Sequence, residues 1–185
     1  MAHILVVYAT TEGQTRKIAD RAASRIRAAG HAVTLVDARA AAATELGTFD
    51  AALLAASLHV KRHQPEIVEF IRKQRARLER VPTAFVSVSL SASSSDRQDL
   101  DNARAVVEEM FDEVDWEASL VHLAAGAVHD RQMNFLKRWM IHRILREKGV
   151  EMDPSGDMEF TDWQALDVFV DTFLERCRQA AGAVA

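Results

Sequence analysis

Residues 3–15 read HILVVYATTEGQT, and this stretch decides the fold. It starts with an unbroken aliphatic run at residues 4–7, followed by Tyr8. Polar and apolar residues do not alternate there, as they would in a strand with one face exposed to solvent. Such a run is typical of a strand buried on both faces of a parallel sheet. Residues 15–29 then place apolar side chains at helical spacing, and Gly30 supplies the stop. The stretch therefore predicts a strand, a loop and a helix in immediate succession.

The rest of the chain repeats this pattern. Further strands are predicted at residues 32–36, 51–56, 84–88 and 119–125. Further helices are predicted at residues 65–78, 99–111 and 161–178, with an alanine-rich connection at 39–44 and a serine-rich one at 87–95. This order predicts an α/β fold with a parallel sheet covered by helices on both faces. We expect a single domain over residues 1–185 that carries an insertion at about 129–158.

Composition excludes several classes of protein. The 185 residues include 23 basic and 27 acidic ones, for a net charge of −4, so no nucleic-acid partner is expected. The single Cys177 cannot form a disulfide within the chain or build a cysteine-based zinc cage. The apolar run at residues 51–58 falls well short of the ~20 residues that span a bilayer, and the first residues lack a signal-peptide pattern. We therefore expect a cytoplasmic location.

The loop after the first strand indicates a phosphate site. Thr10-Thr11-Glu12-Gly13-Gln14-Thr15 sets hydroxyl residues around one glycine at the start of a helix. Unpaired N–H groups and the helix dipole favour an anion there. The loop has no lysine and only one glycine, so it is neither the nucleotide-binding P-loop nor the three-glycine dinucleotide motif. The alternative is that Thr10 or Thr11 only caps the helix.

The same loop resembles the phosphate-binding loop of flavodoxins, with Glu12 in place of the threonine before the glycine. Further blocks follow in order and resemble one branch of the flavodoxin-like proteins, the menaquinone-dependent protoporphyrinogen oxidase family. These blocks are Ala56-Ser57-Leu58-His59-Val60, His63-Gln64-Pro65, Glu69-Phe70, Ser87-Val88-Ser89-Leu90, Ala125-Gly126-Ala127, Phe135-Leu136-Lys137-Arg138-Trp139-Met140-Ile141 and Phe160-Thr161-Asp162-Trp163. Together they span roughly residues 3 to 175.

The resemblance implies a flavodoxin-like three-layer sandwich with five parallel strands in the order 2-1-3-4-5 and a helical insertion after the fifth. It also implies FMN at the carboxyl ends of the strands. The implied cofactor-binding residues are Thr10, Thr11, Gly13, Gln14 and Thr15 for the phosphate, with Glu12 in the same loop and its carboxylate toward solvent, and Ser57, Leu58, His59, Val60, Ser89, Leu90 and Ser91 for the isoalloxazine.

The activity implied by the resemblance is oxidation of protoporphyrinogen IX to protoporphyrin IX in haem biosynthesis, with a membrane quinone as electron acceptor. No catalytic side chain is predicted, because the flavin would carry the chemistry. No metal site is predicted, because His59 and His63 are four residues apart in a loop and not on a helix face. His59 and His63 lie beside Lys61 and Arg62, where they either bind carboxylates, tune the flavin or belong to a solvated basic loop. His122 is expected to be a core residue. The alternative function is an electron carrier or regulatory binding module that acts on a protein partner.

The insertion contains a predicted amphipathic helix. Residues 131–148 hold six basic residues and one acidic residue in a chain that is acidic overall. One interpretation is that this helix packs on the domain or on a second subunit, which would make a homo-oligomer. The other is that it contacts the cytoplasmic face of the membrane or the tetrapyrrole substrate. The residues assigned to substrate or membrane are Arg131, Lys137, Arg138, Trp139, Arg143 and Arg146.

Overall fold

The computed structural model describes residues 1–41, 46–59, 62–128 and 158–183. Its main sheet contains the long strands β1 (His3–Ala9), β2 (Ala32–Asp37), β3 (Ala51–His59), β5 (Thr83–Ser89) and β6 (Leu120–Ala125). These five strands pair in parallel in the order β2-β1-β3-β5-β6. In chain order they are the first to fifth long strands, so the predicted order 2-1-3-4-5 is confirmed.

Helices cover both faces of the sheet. They are α1 (Gln14–Ala28), α2 (Ala38–Ala41), α3 (Pro65–Leu78), α4 (Arg97–Val114) and α5 (Trp163–Ala183). Alternate residues of β1 point to opposite faces, so Ile4 and Val6 pack with α1 and α5 while Leu5 and Val7 pack with α3 and α4. All four of these side chains are fully buried. The continuous aliphatic run therefore fills two cores at once, as the sequence predicted.

Several local features differ from the sequence-based prediction. Residues 62–63 form a short strand, β4 (Arg62–His63), that pairs antiparallel with the end of β3 and gives the sheet a sixth strand. The predicted alanine-rich connection begins as the helix α2. Residues 91–93 form a 3-10 turn, where the sequence suggested a flexible serine loop, because the amide of Ser93 donates to the carbonyl of Leu90 over 3.0 Å.

Two short strands flank the predicted insertion. β7 (Ala127–Val128) and β8 (Met158–Glu159) pair antiparallel and form a small sheet of their own. The insertion thus leaves and re-enters the fold at one point, beside the end of β6. The predicted amphipathic helix between these strands lies outside the described residues. Among the helices that the structure describes, none combines the length and the apolar character that crossing a membrane requires.

Candidate functional site

The carboxyl ends of β1, β3 and β5 meet at one edge of the sheet and form a cleft. This cleft lies where the strand order reverses, between β1 and β3, which is the usual ligand position in an open α/β sheet. We call it the edge cleft. It is lined by Thr10, Thr11, Glu12, Gln14, Thr15, Ser57, Leu58, His59, Val88, Ser89, Leu90, Gly126 and Ala127. The structure therefore brings together the residues of all three predicted loops.

The loop between β1 and α1 has the geometry of an anion site. Gly13 precedes α1 with φ of +91°, a conformation that favours glycine, and its amide donates to Thr10 Oγ1 over 2.9 Å. A Cβ added to Gly13 would meet no described heavy atom within 4 Å, so the space beside this backbone is open. Thr15 is fully buried, and its Oγ1 has no hydrogen-bond partner among the described residues. A buried hydroxyl without a partner at a helix amino terminus is suited to a phosphate oxygen.

The hydroxyl of Thr10 therefore stabilises this turn by accepting the hydrogen bond from the amide of Gly13. The alternative of a threonine that only caps α1 is not what the structure contains, because no side chain caps this helix among the described residues. Glu12 lines the same cleft and is partly buried.

Gln64 joins two of the cleft loops, although sequence reasoning did not assign it to the site. Its Nε2 donates to Thr11 Oγ1 over 3.2 Å and also to Ser57 Oγ. Only 6% of Gln64 is exposed, because the residue lies under the loops just before α3. Its position before Pro65 was visible in the sequence, but its two partners were not. The amide therefore ties the phosphate loop to the end of β3.

A second link joins the start of α1 to the chain that returns from the insertion. Gln14 Nε2 donates to Thr161 Oγ1 over 2.8 Å, and Thr161 Oγ1 in turn donates to the carbonyl of Ala125 over 2.8 Å. Lys17 on α1 also pairs with Glu159 at 3.1 Å. Sequence reasoning missed this link, since Gln14 and Thr161 are 147 residues apart. The side chain of Gln14 is thus used in positioning, while its backbone amide belongs to the first turn of α1.

Glu159 is held ionised by this link. Desolvation opposes the charge, but hydrogen bonds from Lys17, Trp163 and Gln14 outweigh it and lower the pKa of Glu159. The indole N–H of Trp163 donates to the carboxylate over 2.8 Å. The described return segment is therefore fixed by both charge and hydrogen bonds against the phosphate loop.

The third side of the cleft is built from the end of β5. The hydroxyl oxygen of Ser89 accepts from the amide of Ala92 over 3.2 Å, and its carbonyl accepts from Gly126 over 3.1 Å. Leu90 lines the cleft, whereas Ser91 begins the 3-10 turn and is not among the lining residues that the structure describes. The Ser89 hydroxyl retains its own proton for donation to a ligand.

The two histidines of the predicted basic loop have different environments. His59 is exposed at the end of β3, whereas His63 is 6% exposed and shares a hydrogen bond of 3.0 Å between its Nε2 and Ser87 Oγ. Burial lowers the pKa of His63 from 6.5 to about 4, so the ring is neutral at physiological pH. Its ring meets Phe85 edge-on at 5.2 Å. The interpretation of a solvated loop is therefore wrong for His63.

Two of the residues considered in the sequence analysis pack within the fold away from the cleft, and several others lie outside the described residues. His122 stacks on Phe169 at 5.0 Å, and burial lowers its pKa. Cys177 lies in the core between α1 and α5, and burial raises the pKa of its thiol to about 11. Val60 lies outside the described residues. So do the residues assigned to substrate or membrane, which are Arg131, Lys137, Arg138, Trp139, Arg143 and Arg146.

Comparison with known families identifies one match. The family described as flavodoxin domain matches residues 5–155, which is more than half of the chain. Among solved structures, Fusobacterium nucleatum flavodoxin bound to flavin mononucleotide has a TM-score of 0.52 at 9% identity, covering 97% of this chain and 98% of that one. This likeness confirms the flavodoxin-like fold.

Curated relatives are similar over most of the chain. A protoporphyrinogen IX dehydrogenase (quinone) of Leishmania major is 26% identical over 170 residues, covering 91% of this chain and 73% of the relative. The protein of the same name from Escherichia coli strain K12 is 25% identical over 165 residues, covering 89% of this chain and 91% of the relative.

Proposed function

Because the chain belongs to the flavodoxin domain family, we propose that it binds FMN in the edge cleft and is an FMN-dependent oxidoreductase. The observation that carries this proposal is the buried Thr15 hydroxyl, which has no described partner and lies at the amino end of α1 beside the left-handed Gly13. A phosphate oxygen would supply the missing partner. The similar flavodoxin structure with bound flavin mononucleotide supports the identity of the ligand.

Each part of the cleft has a role in this proposal. The amides of the first turn of α1 and the hydroxyl of Thr15 bind the phosphate, while Thr10 holds the turn that Gly13 permits. Ser57, Leu58 and His59 line one side of the flavin ring, and Ser89 and Leu90 line the other. When bound, FMN supplies reversible two-electron chemistry. The chain itself binds, orients and braces the cofactor through Gln64 and Gln14.

We further propose that the substrate is protoporphyrinogen IX, which is oxidised to protoporphyrin IX, and that a membrane quinone accepts the electrons. Two relatives bear this activity in their names and are similar over about nine-tenths of this chain. The paired strands β7 and β8 also open the insertion directly beside the cleft, since Ala127 lines it. The two described ends of the insertion thus lie next to the proposed flavin site, which supports a contact of the insertion with a substrate, an acceptor or the membrane surface.

The alternative is an electron carrier that exchanges electrons with a protein partner. The likeness to a flavodoxin over 97% of the chain favours it. The two functions differ in how the reduced flavin is reoxidised. An enzyme of the proposed type is reoxidised faster by a soluble menaquinone analogue than by a redox protein, and a carrier shows the opposite order.

The proposed function is tested by purifying the protein, recording its visible spectrum and assaying protoporphyrinogen oxidation with and without a quinone. We expect a flavin spectrum and porphyrin formation that depends on both FMN and quinone. A flavin-loaded protein that forms no porphyrin above the rate without protein would contradict the enzyme assignment.

A further inference from the structure

A second groove adjoins the edge cleft. It runs between α3 and α4, encloses about 530 Å³ and shares Thr11 and His59 with the cleft. We call it the α3–α4 groove. Its volume lies within the range of about 300–1,000 Å³ of sites for small organic ligands. Sequence patterns assigned Thr11 and His59 to the cofactor and offered carboxylate binding as one role of His59 and His63, but they gave no role to the side chains of α3 and α4 that line this groove.

The groove has an apolar floor and a charged rim. Val68 and Met110 are 9% and 5% exposed and line it together with the partly buried Val106. Two of the lining arginines are already neutralised. Arg39 pairs with Glu66 at 3.0 Å, and Arg72 pairs with Glu113 at 2.7 Å.

The third lining arginine, Arg62, is exposed, and its guanidinium has no ion pair or hydrogen bond among the described residues. It pairs by backbone register with His59 on β3, at the end of the groove that adjoins the edge cleft. Glu109 also lines the groove, but α4 runs from the site edge of the sheet toward the opposite edge. Glu109 lies three residues beyond Val106 on α4 and about one helical turn before Glu113, which pairs with Arg72. The end next to the cleft is thus the cationic one.

Two buried polar atoms also point to a ligand. His63 and Gln64 line the groove and are each 6% exposed. His63 Nδ1 and Gln64 Oε1 have no hydrogen-bond partner among the residues that the structure describes. Buried polar atoms in folded proteins nearly always have partners, so these two atoms indicate a missing one. The neutral ring of His63 can donate or accept at this nitrogen.

We propose that the α3–α4 groove binds the reducing substrate, an apolar ring compound that carries a carboxylate. The carboxylate pairs with Arg62, the ring system lies against Val68, Val106 and Met110, and the end near Thr11 and His59 adjoins the flavin. This inference rests on the proposed function and deepens it. It assigns the reducing substrate to the groove and not to the insertion, whose basic residues the sequence assigned to substrate or membrane.

The test uses the FMN-loaded protein and protoporphyrin IX, a stable dicarboxylic probe whose fluorescence reports binding. Arg62→Glu reverses the unpaired charge, and Val106→Trp fills the groove from a partly exposed position on α4. Arg97→Glu is the control for charge, because Arg97 is almost fully exposed at the start of α4. Val168→Trp is the control for bulk, since Val168 is 60% exposed on α5. The dimethyl ester of the porphyrin tests the need for the carboxylate.

We expect the Kd for protoporphyrin IX to rise at least ~10-fold in Arg62→Glu, the size expected for loss of one charge-assisted hydrogen bond. The Kd should rise at least as much in Val106→Trp, because the indole occupies the space of the ring system. Both controls should bind as the wild type does, and FMN should remain bound in all four variants. The dimethyl ester should bind weakly and show no difference between wild type and Arg62→Glu.

Groove variants that bind the porphyrin as tightly as their controls would overturn the inference. So would slower reoxidation by a menaquinone analogue with porphyrin binding intact, since the groove would then be the acceptor site. Wild-type turnover separates the two proposals. If the wild type oxidises protoporphyrinogen and the groove variants do so equally well, only the groove assignment fails. If the wild type neither turns over nor binds the porphyrin, the proposed function fails together with it.

Discussion

Gln64 donates a hydrogen bond from Nε2 to Thr11 Oγ1 over 3.2 Å, across 53 residues of sequence. The same nitrogen donates to Ser57 Oγ. Thr11 belongs to the loop proposed for the phosphate and Ser57 to the loop proposed for the flavin ring. One buried amide therefore fixes the distance between the two halves of the proposed FMN site. Its role is that of a positioning residue, because it acts through the two loops.

Gln64→Met removes the amide and keeps a side chain of similar length. Loss of a buried hydrogen bond costs about 1–3 kcal/mol, so we expect FMN to bind roughly 5- to 100-fold more weakly. Riboflavin, which lacks the phosphate, should lose less, because it does not need both loops in register. Titration of the apo protein with each flavin, followed by quenching of flavin fluorescence, measures this difference.

A double-mutant cycle with Thr11→Val distinguishes positioning from general destabilisation. If Gln64 acts through Thr11, the double variant should lose less FMN affinity than the two single losses combined. Fully additive losses of FMN affinity, or wild-type affinity in Gln64→Met, would contradict the positioning role of Gln64.

Thr15→Ala removes the buried hydroxyl that lacks a described partner. A hydrogen bond to a charged group contributes about 1.5–3 kcal/mol, so FMN should bind about 10- to 100-fold more weakly. Thr172→Ala is the matched control, since the Thr172 hydroxyl donates to the carbonyl of Val168 on the exposed side of α5. Fluorescence titration of both variants decides whether Thr15 takes part in binding.

Gly13→Val should nearly abolish FMN binding while the fold remains. Valine is strained at φ of +91°, and its side chain would occupy the open space beside the loop. Circular dichroism checks the fold, and the same titration checks binding. Tight FMN binding by this variant would show that the cofactor does not use this loop.

The buried neutral His63 makes stability depend on pH. Its pKa is about 4 in the folded chain and 6.5 when unfolded, so between these values the unfolded state binds the extra proton. Stability is therefore complete above pH 6.5 and falls as the pH drops toward 4, by up to about 3 kcal/mol.

His63→Gln tests this dependence, because glutamine can keep a hydrogen bond to Ser87 without titrating. Urea unfolding at a series of pH values should show a smaller loss of stability on acidification in His63→Gln than in the wild type. His59→Gln is the control, since His59 is exposed, and it should follow the wild type. Equal pH slopes for wild type and His63→Gln would contradict a neutral buried ring.

The proposal that the insertion contacts the membrane rests on the sequence pattern of residues 131–148. Arg138→Glu combined with Arg146→Glu should weaken binding to anionic vesicles at least ~10-fold, because each basic group near such a surface contributes about 1 kcal/mol. Quinone-linked turnover should slow, with FMN affinity unchanged. Arg97→Glu with Arg178→Glu makes the same change in net charge at exposed sites elsewhere. If the wild type does not co-sediment with anionic vesicles at low salt, the membrane proposal is contradicted. The interpretation that the helix packs on the domain or on a second subunit is then favoured.

Local sequence patterns predicted the long strands and helices, whereas the hydrogen bonds between distant residues became visible only in the structure. The strand, loop and helix of residues 3–15 were predictable because burial, loop chemistry and helix start are all encoded within a few neighbouring residues. The resemblance to flavodoxins supplied the strand order and the three loops of the cleft. β4 was missed because two residues carry no periodicity.

The side chains that join the loops of the site by hydrogen bonds were missed for a different reason. Gln64 and Gln14 look like ordinary polar residues beside helix starts, and their partners Thr11 and Thr161 lie 53 and 147 residues away. Nothing in the local sequence links such pairs. The burial of His63 was likewise hidden, because its partner Ser87 lies on a different strand. Tertiary packing alone determines these three contacts.

The most direct test of the proposed function is an anaerobic mixing experiment without any quinone. The oxidised FMN-loaded protein is mixed with protoporphyrinogen IX, and the flavin and porphyrin absorption bands are followed together. We expect the flavin band to bleach as the substrate is oxidised. Adding a menaquinone analogue should then restore the band and allow porphyrin to accumulate. A flavin band that stays unchanged in the presence of excess protoporphyrinogen would contradict the proposed activity.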